Sequence, residues 1–387
     1  MLSALRLGFY YAAIFVGSGA RVPFMPVWFK AQGLSGTQLA LILSVPLFVQ
    51  AVAGPALALW ADTFRLRRTP MIWMAVIASL AFAALAVLKG FWWWMVCWGL
   101  ATTLMATFSP LTDVIVLRRA RTDGFAYGTP RGIGSAGYIV ANVGMGLVLV
   151  RWGPTSVLVW TVAAGLLVAV GARLLLPPDP VAVTGERGRM GDLARGLAHL
   201  VRRRDFMLLM AASSLIQASH GFYYSFSTLI WRNHGLGGWS GVLWGFSVGV
   251  ELIFMWFMEP WRRRIGPERL LVLGGVGAVV RWSALAMSPP LWLLFPIQGL
   301  HALSFTATFL ATLRLIERLA PAEDASAAQT LNAALAYGLF TGLATLAAGP
   351  LFDTLGAYGY WPMTALAVLG VAAALVLLVQ QRGSAKA

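Results

Sequence analysis

Trp28-Phe29-Lys30-Ala31-Gln32-Gly33-Leu34, near the start of the chain, is echoed past its middle by Ile230-Trp231-Arg232-Asn233-His234-Gly235-Leu236. Each stretch closes one long apolar run with an aromatic residue, a cation and Gly-Leu, then opens another. After that next run each half carries an acid followed by arginines: Asp62 with Arg65, Arg67 and Arg68, then Glu259 with Arg262, Arg263 and Arg264. The order of features repeats, so the chain reads as two related halves. Paired halves with a site between them are the architecture of many secondary transporters.

The halves are built for lipid. Of 387 residues, 59% are hydrophobic and 11% charged, with a mean hydropathy of +0.75, whereas a soluble domain carries about 25% charged residues. The net charge of +15 would suit nucleic acid, but the arginines lie in short stretches between apolar runs rather than along one solvated face. Nucleic acid is therefore not an expected partner. Cys97 stands alone inside an apolar run, which excludes an intramolecular disulfide framework. No metal-ligand cluster, phosphate-binding loop or nucleophile elbow is present in the sequence, so neither an enzyme nor a bound cofactor is expected.

A crossing helix needs about 20 apolar residues. The candidate spans are Leu7–Phe29, Leu39–Ala61, Pro70–Leu88, Phe91–Val116, Tyr127–Val150 and Thr155–Leu176, then Phe206–Trp231, Trp239–Phe257, Leu270–Met287, Leu291–Leu315, Ala325–Gly349 and Trp361–Val379. The expected fold is an all-α membrane protein of twelve transmembrane helices in two pseudo-symmetric six-helix bundles. Residues 1–176 form the first bundle, 177–205 a cytoplasmic linker and 206–387 the second bundle. The apolar start of the chain continues to Phe29, too long for a cleaved leader, and reads as an uncleaved first span.

Basic residues set the orientation. They cluster after spans two, four, eight and ten, in the central linker and at the end of the chain, while the alternate loops hold only Lys30, Lys89, Arg151 and Arg232. Both termini are expected in the cytoplasm of a plasma (bacterial inner) membrane protein. In the linker, Leu193 to Arg202 reads as a short basic amphipathic helix on the anionic inner surface, with His199 solvated.

Six ionisable residues interrupt the oily runs: Arg21, Asp113, Arg131, Glu251, Arg281 and His301. A charge at bilayer depth costs about 2.5–3.5 kcal/mol on insertion scales. Six of them imply a polar path for a solute. Asp113 lies one turn before the cytoplasmic end of span four and Arg131 one turn into span five, so the two can pair. The pair reads either as a structural bridge or as a clamp that exchanges its partner for solute. Arg131 and Arg281 come from opposite halves and are expected to face one central cavity, each offering a planar fork to a carboxylate. With Arg21, three arginines stand against two acids, an excess that favours an anionic solute. Glu251 and His301 are candidate proton carriers, because a carboxyl in oil favours its neutral form and imidazole titrates near neutrality. The rival reading has Glu251 neutralising Arg281, with His301 a core residue. His220, beside Phe222, Tyr223 and Tyr224, reads as packing. The glycines of span five, with Ser135 and Asn142, allow close helix approach, and Gly54-Pro55 and Gly349-Pro350 suggest bends.

Twelve spans as six plus six around a basic loop resemble the major facilitator superfamily. Asp62, Arg67 and Arg68 stand where that family's Gly-x-x-x-Asp-Arg-x-Gly-Arg-Arg gating loop has its acid and last arginines, while Thr63 and Arg65 depart from it. Gly19 to Phe29 is similar to the doubly prolyl first helix of the branch that contains lactose permease and the phenylpropionate transporter. Asp113 and Arg131 keep the spacing of that branch's substrate-holding acid and arginine, and Arg281 and Gly299-Leu300-His301-Ala302-Leu303-Ser304 resemble its helix-nine arginine and helix-ten histidine motif. Ser304 replaces the glutamate that drives lactose turnover, and Gln298 a lysine, so the lactose mechanism does not transfer directly.

These readings converge on a secondary active transporter working by alternating access. The expectation is a monomeric proton-coupled symporter that imports a small organic anion such as an aromatic carboxylate, with the proton gradient as its energy source. Arg131, Arg281, Asp113 and Arg21 would bind substrate, Glu251 and His301 would couple the proton, and Asp62, Arg67 and Arg68 would gate. The alternatives are a proton-coupled sugar or nucleoside symporter, and drug efflux.

Overall fold

The computed structural model describes residues 2–178 and 190–384, and among these every element is helical. In chain order they are α1 (Leu2–Ala31), α2 (Gly36–Ala61), α3 (Arg68–Val87), α4 (Phe91–Ala106), α5 (Phe108–Asp123), α6 (Gly128–Trp152) and α7 (Thr155–Leu174). There follow α8 (Met190–Arg202), α9 (Arg204–Ala218), α10 (Gly221–Asn233), α11 (Ser240–Phe257), α12 (Glu259–Ile265), α13 (Pro267–Ala286) and α14 (Leu291–Gly299). The last are α15 (Thr308–Leu319), α16 (Ala325–Asn332), α17 (Thr341–Leu355) and α18 (Tyr360–Ser384), with π-helical turns at Ala302–Ala307 and Ala333–Phe340. Contacts divide the chain into two compact units, one of Met1–Val183 with Phe226–Gly245, the other of Thr184–Ser225 with Phe246–Ala387.

Local chemistry explains the boundaries. Gly33, at φ +91°, turns the chain after α1, a backbone conformation that glycine adopts without strain. Ser35 then caps α2: its Oγ accepts from Gln38 N at 3.1 Å while the Gln38 amide oxygen accepts from Ser35 N at 3.0 Å. The predicted span Phe91–Val116 bends at Thr107, between α4 and α5. Pro110 has no N–H to return to the Ala106 carbonyl, and Thr107 Oγ1 donates to the Leu104 carbonyl at 2.7 Å.

Within the first unit α1 lies against α6 along a seam of small residues. A Cβ on Gly134 would stand 2.8 Å from Tyr11 Cβ, one on Gly137 3.1 Å from Ala12 Cα, and one on Gly19 2.7 Å from the Tyr138 carbonyl. The close approach sets the Tyr11 face of α1 against the start of α6, which carries Arg131. The same helix meets the start of α11, where a Cβ on Gly241 would stand 2.3 Å from the Asn142 carbonyl. Gly241→Val is therefore expected to lower the thermal transition in detergent by several degrees, since overpacking costs about 1–3 kcal/mol. Gly238→Val, whose nearest neighbour is Val150 at 4.0 Å, is the control. Equal transitions for the two variants would show that α6 and α11 separate at no cost.

Ten helical stretches among the described residues are long and apolar enough to cross a membrane. They correspond to the predicted spans with two differences. The stretch Ala322–Arg382 holds two of those spans, Ala325–Gly349 and Trp361–Val379. Pro350 lies inside α17, which continues to Leu355, and the chain turns at Gly356, φ +58°. Second, Phe206–Trp231 is not one helix: it breaks at Ser219-His220, between α9 and α10. Ser219 Oγ donates to the Ile216 carbonyl at 2.6 Å, and His220 Nδ1 lies 3.1 and 3.2 Å from the Ile216 and Gln217 carbonyls. Side chains thus take backbone acceptors that a continuous helix would use.

Candidate functional site

In the first unit, one carboxylate gathers partners from α1 and from the start of α6. Asp113 of α5 pairs with Arg131 of α6 at 3.3 Å, as the spacing predicted. The same Oδ1 accepts from Tyr127 OH at 2.8 Å and from Tyr11 OH of α1. Arg131 Nη1 also donates to Ser109 Oγ at 2.8 Å, and its guanidinium lies 4.9 Å from the Phe15 ring centre and 5.2 Å from that of Tyr11. Helix spacing supplies two of these partners, because Ser109 is one turn before Asp113 and Tyr127 one turn before Arg131. The two charged side chains remain 30% and 37% exposed. They form a charge-balanced pair that is only partly buried.

The second unit holds a deeper cluster around Arg281 of α13, which is fully buried. Its Nη1 lies 2.6 Å from His301 Nδ1 and 3.3 Å from Ser304 Oγ, and its Nη2 donates to Gln298 Oε1 at 2.8 Å. His301 Nε2 in turn lies 3.1 Å from Glu251 Oε1 of α11, whose Oε2 accepts from Thr306 Oγ1 at 3.0 Å. A guanidinium only donates, so His301 Nδ1 must be the acceptor. The ring is then neutral, with its single proton on Nε2 directed at Glu251. His301 sits between Arg281 and Glu251, so the acid does not touch the arginine directly.

Aromatic rings wall this cluster. The Arg281 guanidinium stands 4.2 Å from the Tyr223 ring centre and 4.7 Å from that of Trp282, and Phe305 stacks on His301 at 5.3 Å. Two donors, Arg281 Nε and Gln298 Nε2, are buried with no hydrogen-bond partner among the described residues. Nε and Nη2 share one edge of a guanidinium, and Nη2 is the group that binds Gln298. An unpaired buried donor costs about 1–3 kcal/mol, so the cluster is short of acceptors.

Other predicted residues lie elsewhere. Arg21 stacks over Phe82 of α3 at 5.6 Å, and ten residues of continuous α1, about 15 Å, separate it from Tyr11. It does not join the Asp113 pair. Asp62 and Arg67 form a bridge at 3.4 Å in the loop before α3, while Arg68 opens that helix. The corresponding loop of the second half repeats the motif, with Arg263 2.6 Å from Glu259. That guanidinium holds the Glu259 carboxyl below the usual carboxylate range. Next to it Arg262 is buried and donates to the Phe254 and Met255 carbonyls at the end of α11. His199 is not simply solvated: α8 brings its Nδ1 to 2.6 Å from Asp324 Oδ2. A groove of about 730 Å³ among α1, α6 and α7, bounded by Val16, Val148, Trp152, Val159, Trp160 and Leu167, contains none of the ionisable residues.

Sequence reasoning missed Tyr11, Tyr127, Ser109, Thr306 and His220 as site residues. The one-turn spacing to Asp113 and Arg131 was a usable signal for Ser109 and Tyr127. No sequence signal links His220 or Tyr11 to their partners, which lie on other helices. Ser304 and Gln298, noted only as departures from a family pattern, both bind Arg281.

The chain is 29% identical to a maltose permease of Geobacillus stearothermophilus, over 96% of this chain and 94% of that protein. It is 25% identical to a probable 3-phenylpropionic acid transporter of Escherichia coli (strain K12), over 94% of each. In fold it is similar to a crystallised point mutant of the nucleoside transporter NupG, with a TM-score of 0.86 at 14% identity over 97% of this chain and 99% of that one. A family model described as the MFS_1 like family matches residues 4–363. The protein is thus a multi-pass membrane transporter and not an enzyme, and the chain belongs to the MFS_1 like family.

Proposed function

We propose that the chain is a proton-coupled symporter that imports a small organic anion, an aromatic carboxylate of the phenylpropionate kind. One observation carries the reading: the buried cluster has unpaired donors at Arg281 and Gln298, aromatic walls, and only two formal charges. With His301 neutral, Arg281 and Glu251 balance one another. A proton taken up by Glu251 leaves Arg281 uncompensated in a buried site, which is costly until an anion restores balance. Proton and anion therefore bind more tightly together than separately, and that linkage is symport.

Arg281 and Gln298 take the carboxylate, Glu251 takes the proton, and His301 holds Glu251 in place. Asp113 and Arg131 exchange their mutual contact for the solute during alternating access. Asp113→Asn should reduce uptake more than tenfold while costing about 1 kcal/mol of stability, because the pair is part-exposed. Unchanged uptake by that variant would make the pair structural. Asp62, Arg67 and Arg68 act at the gate. The transporter works as a monomer, and the arginine distribution supports a place in the bacterial inner membrane with both termini cytoplasmic.

The test is uptake by proteoliposomes under an imposed pH gradient, acidic outside, with labelled 3-phenylpropionate, maltose and uridine compared. Gradient-dependent accumulation of phenylpropionate is expected. Accumulation of maltose or uridine instead would favour the second reading, a neutral polyhydroxyl solute, which the charge-balanced Asp113–Arg131 pair suits. Arg21, the unbalanced cation that suggested an anion from sequence, stacks on Phe82 and lends the anionic reading no support.

A further inference from the structure

His220 is the one fully buried histidine that the proposed function does not use, and its surroundings are specific. It sits in the break between α9 and α10, and its Nδ1 faces the Ile216 and Gln217 carbonyls. Carbonyls only accept, so Nδ1 carries a proton. Its Nε2 lies 3.2 Å from Ser304 Oγ. That hydroxyl receives Arg281 Nη1–H and needs an acceptor for its own proton. The His220 Nε2 lone pair supplies it.

Two arms thus leave Arg281 with opposite polarity at their imidazoles. One runs from Arg281 through His301 to Glu251, with the ring proton on Nε2. The other runs from Arg281 through Ser304 to His220 and the Ile216 carbonyl, with the ring proton on Nδ1. The rings are 5.5 Å apart, centre to centre. Backbone carbonyls anchor the second arm, while the first ends on a carboxylate that can change its charge. The arm through His220 therefore fixes where Arg281 Nη1 points.

We propose that His220 is a positioning residue of the coupling site, a fixed Nδ1–H tautomer that orients the Ser304 hydroxyl so that Arg281 holds His301 as the opposite tautomer against Glu251. The coupling role rests on the reading of Glu251 as the proton site; the tautomer assignment does not. The charged or titratable side chains around His220 are Arg281 on α13, His301 between α14 and α15, Tyr223 and Tyr224 on α10, and Glu251 on α11 beyond His301.

The tautomers are read directly. The full chain, labelled with ¹⁵N-histidine and held in nanodiscs, has only four histidines, and His220→Gln and His301→Gln assign the two buried ones. At neutral pH both should be uncharged, His220 protonated on Nδ1 and His301 on Nε2. The same tautomer at both sites, or a charged His220, would overturn the proposal. In proteoliposomes driven by a pH gradient, with labelled 3-phenylpropionate as probe, His220→Phe should lose accumulation at least tenfold and shift the pH profile of uptake. His220→Gln, which keeps an acceptor for Ser304, should recover most of both. Equal behaviour of the Phe and Gln variants would make His220 mere packing. If the unaltered protein accumulates none of phenylpropionate, maltose and uridine, the coupling reading fails, and the positioning role with it, even where the tautomers are as assigned.

Discussion

Glu251→Gln should abolish gradient-driven accumulation in proteoliposomes, a loss of at least a hundredfold, while solute exchange across the membrane persists. The reason is local. Glutamine preserves the size of the side chain; its amide oxygen can accept from His301 Nε2–H and its NH2 can donate to the Thr306 hydroxyl oxygen, in the places of the two carboxylate oxygens. It cannot bind or release a proton, so the charge of the cluster stays fixed with Arg281 uncompensated. An anion then binds at any pH, and its affinity should rise and lose its dependence on protons. Uptake at equal pH on both sides, followed as isotope exchange, separates that outcome from a protein that has lost its fold. Uphill accumulation retained by the variant would move proton coupling elsewhere in the chain.

Arg281→Lys should be nearly as damaging to transport, and for a different reason. The guanidinium serves His301, Ser304 and Gln298 from one planar group that lies against the rings of Tyr223 and Trp282. An ammonium keeps the charge but places its three donors around a point and cannot stack as a plane. The expected cost to stability is about 1–3 kcal/mol, the loss of one or two buried hydrogen bonds. A fall in transport of a hundredfold or more corresponds to about 2.7 kcal/mol in the step it limits. Thermal unfolding in detergent and initial uptake rates would be measured on the same preparations. Near-normal uptake would remove Arg281 from the site, and unfolding without a separate transport defect would leave it a purely structural cation.

The two clusters were unequally legible. Asp113 and Arg131 lie on consecutive antiparallel helices, so sequence spacing alone fixes their relative depth, and they meet as expected. Arg281 and His301 were each visible as charges in oil, but their contact, and the insertion of His301 between Arg281 and Glu251, depends on how α11, α13 and the π turn at Ala302–Ala307 pack. Arg21 shows the limit of counting charges. It had the same sequence signature as Arg131, yet its helix carries it to Phe82. His220 failed in the other direction: hydropathy draws one span through it, whereas the structure breaks the helix there, with the Ser219 and His220 side chains turned onto the Ile216 carbonyl.

By itself the sequence determined that this chain lives in a membrane, with charges set in apolar runs that demand a polar interior. Those conclusions follow from hydrophobic run length, the placement of arginines and the cost of charge in lipid, all of which are local or additive along the chain. Only the tertiary structure decided which buried charges are neighbours, which histidine nitrogen bears a proton, and which donors are left without acceptors. Those are pairwise matters of distance and direction between helices far apart in sequence, and hydrogen bonds a few ångströms long cannot be summed from composition.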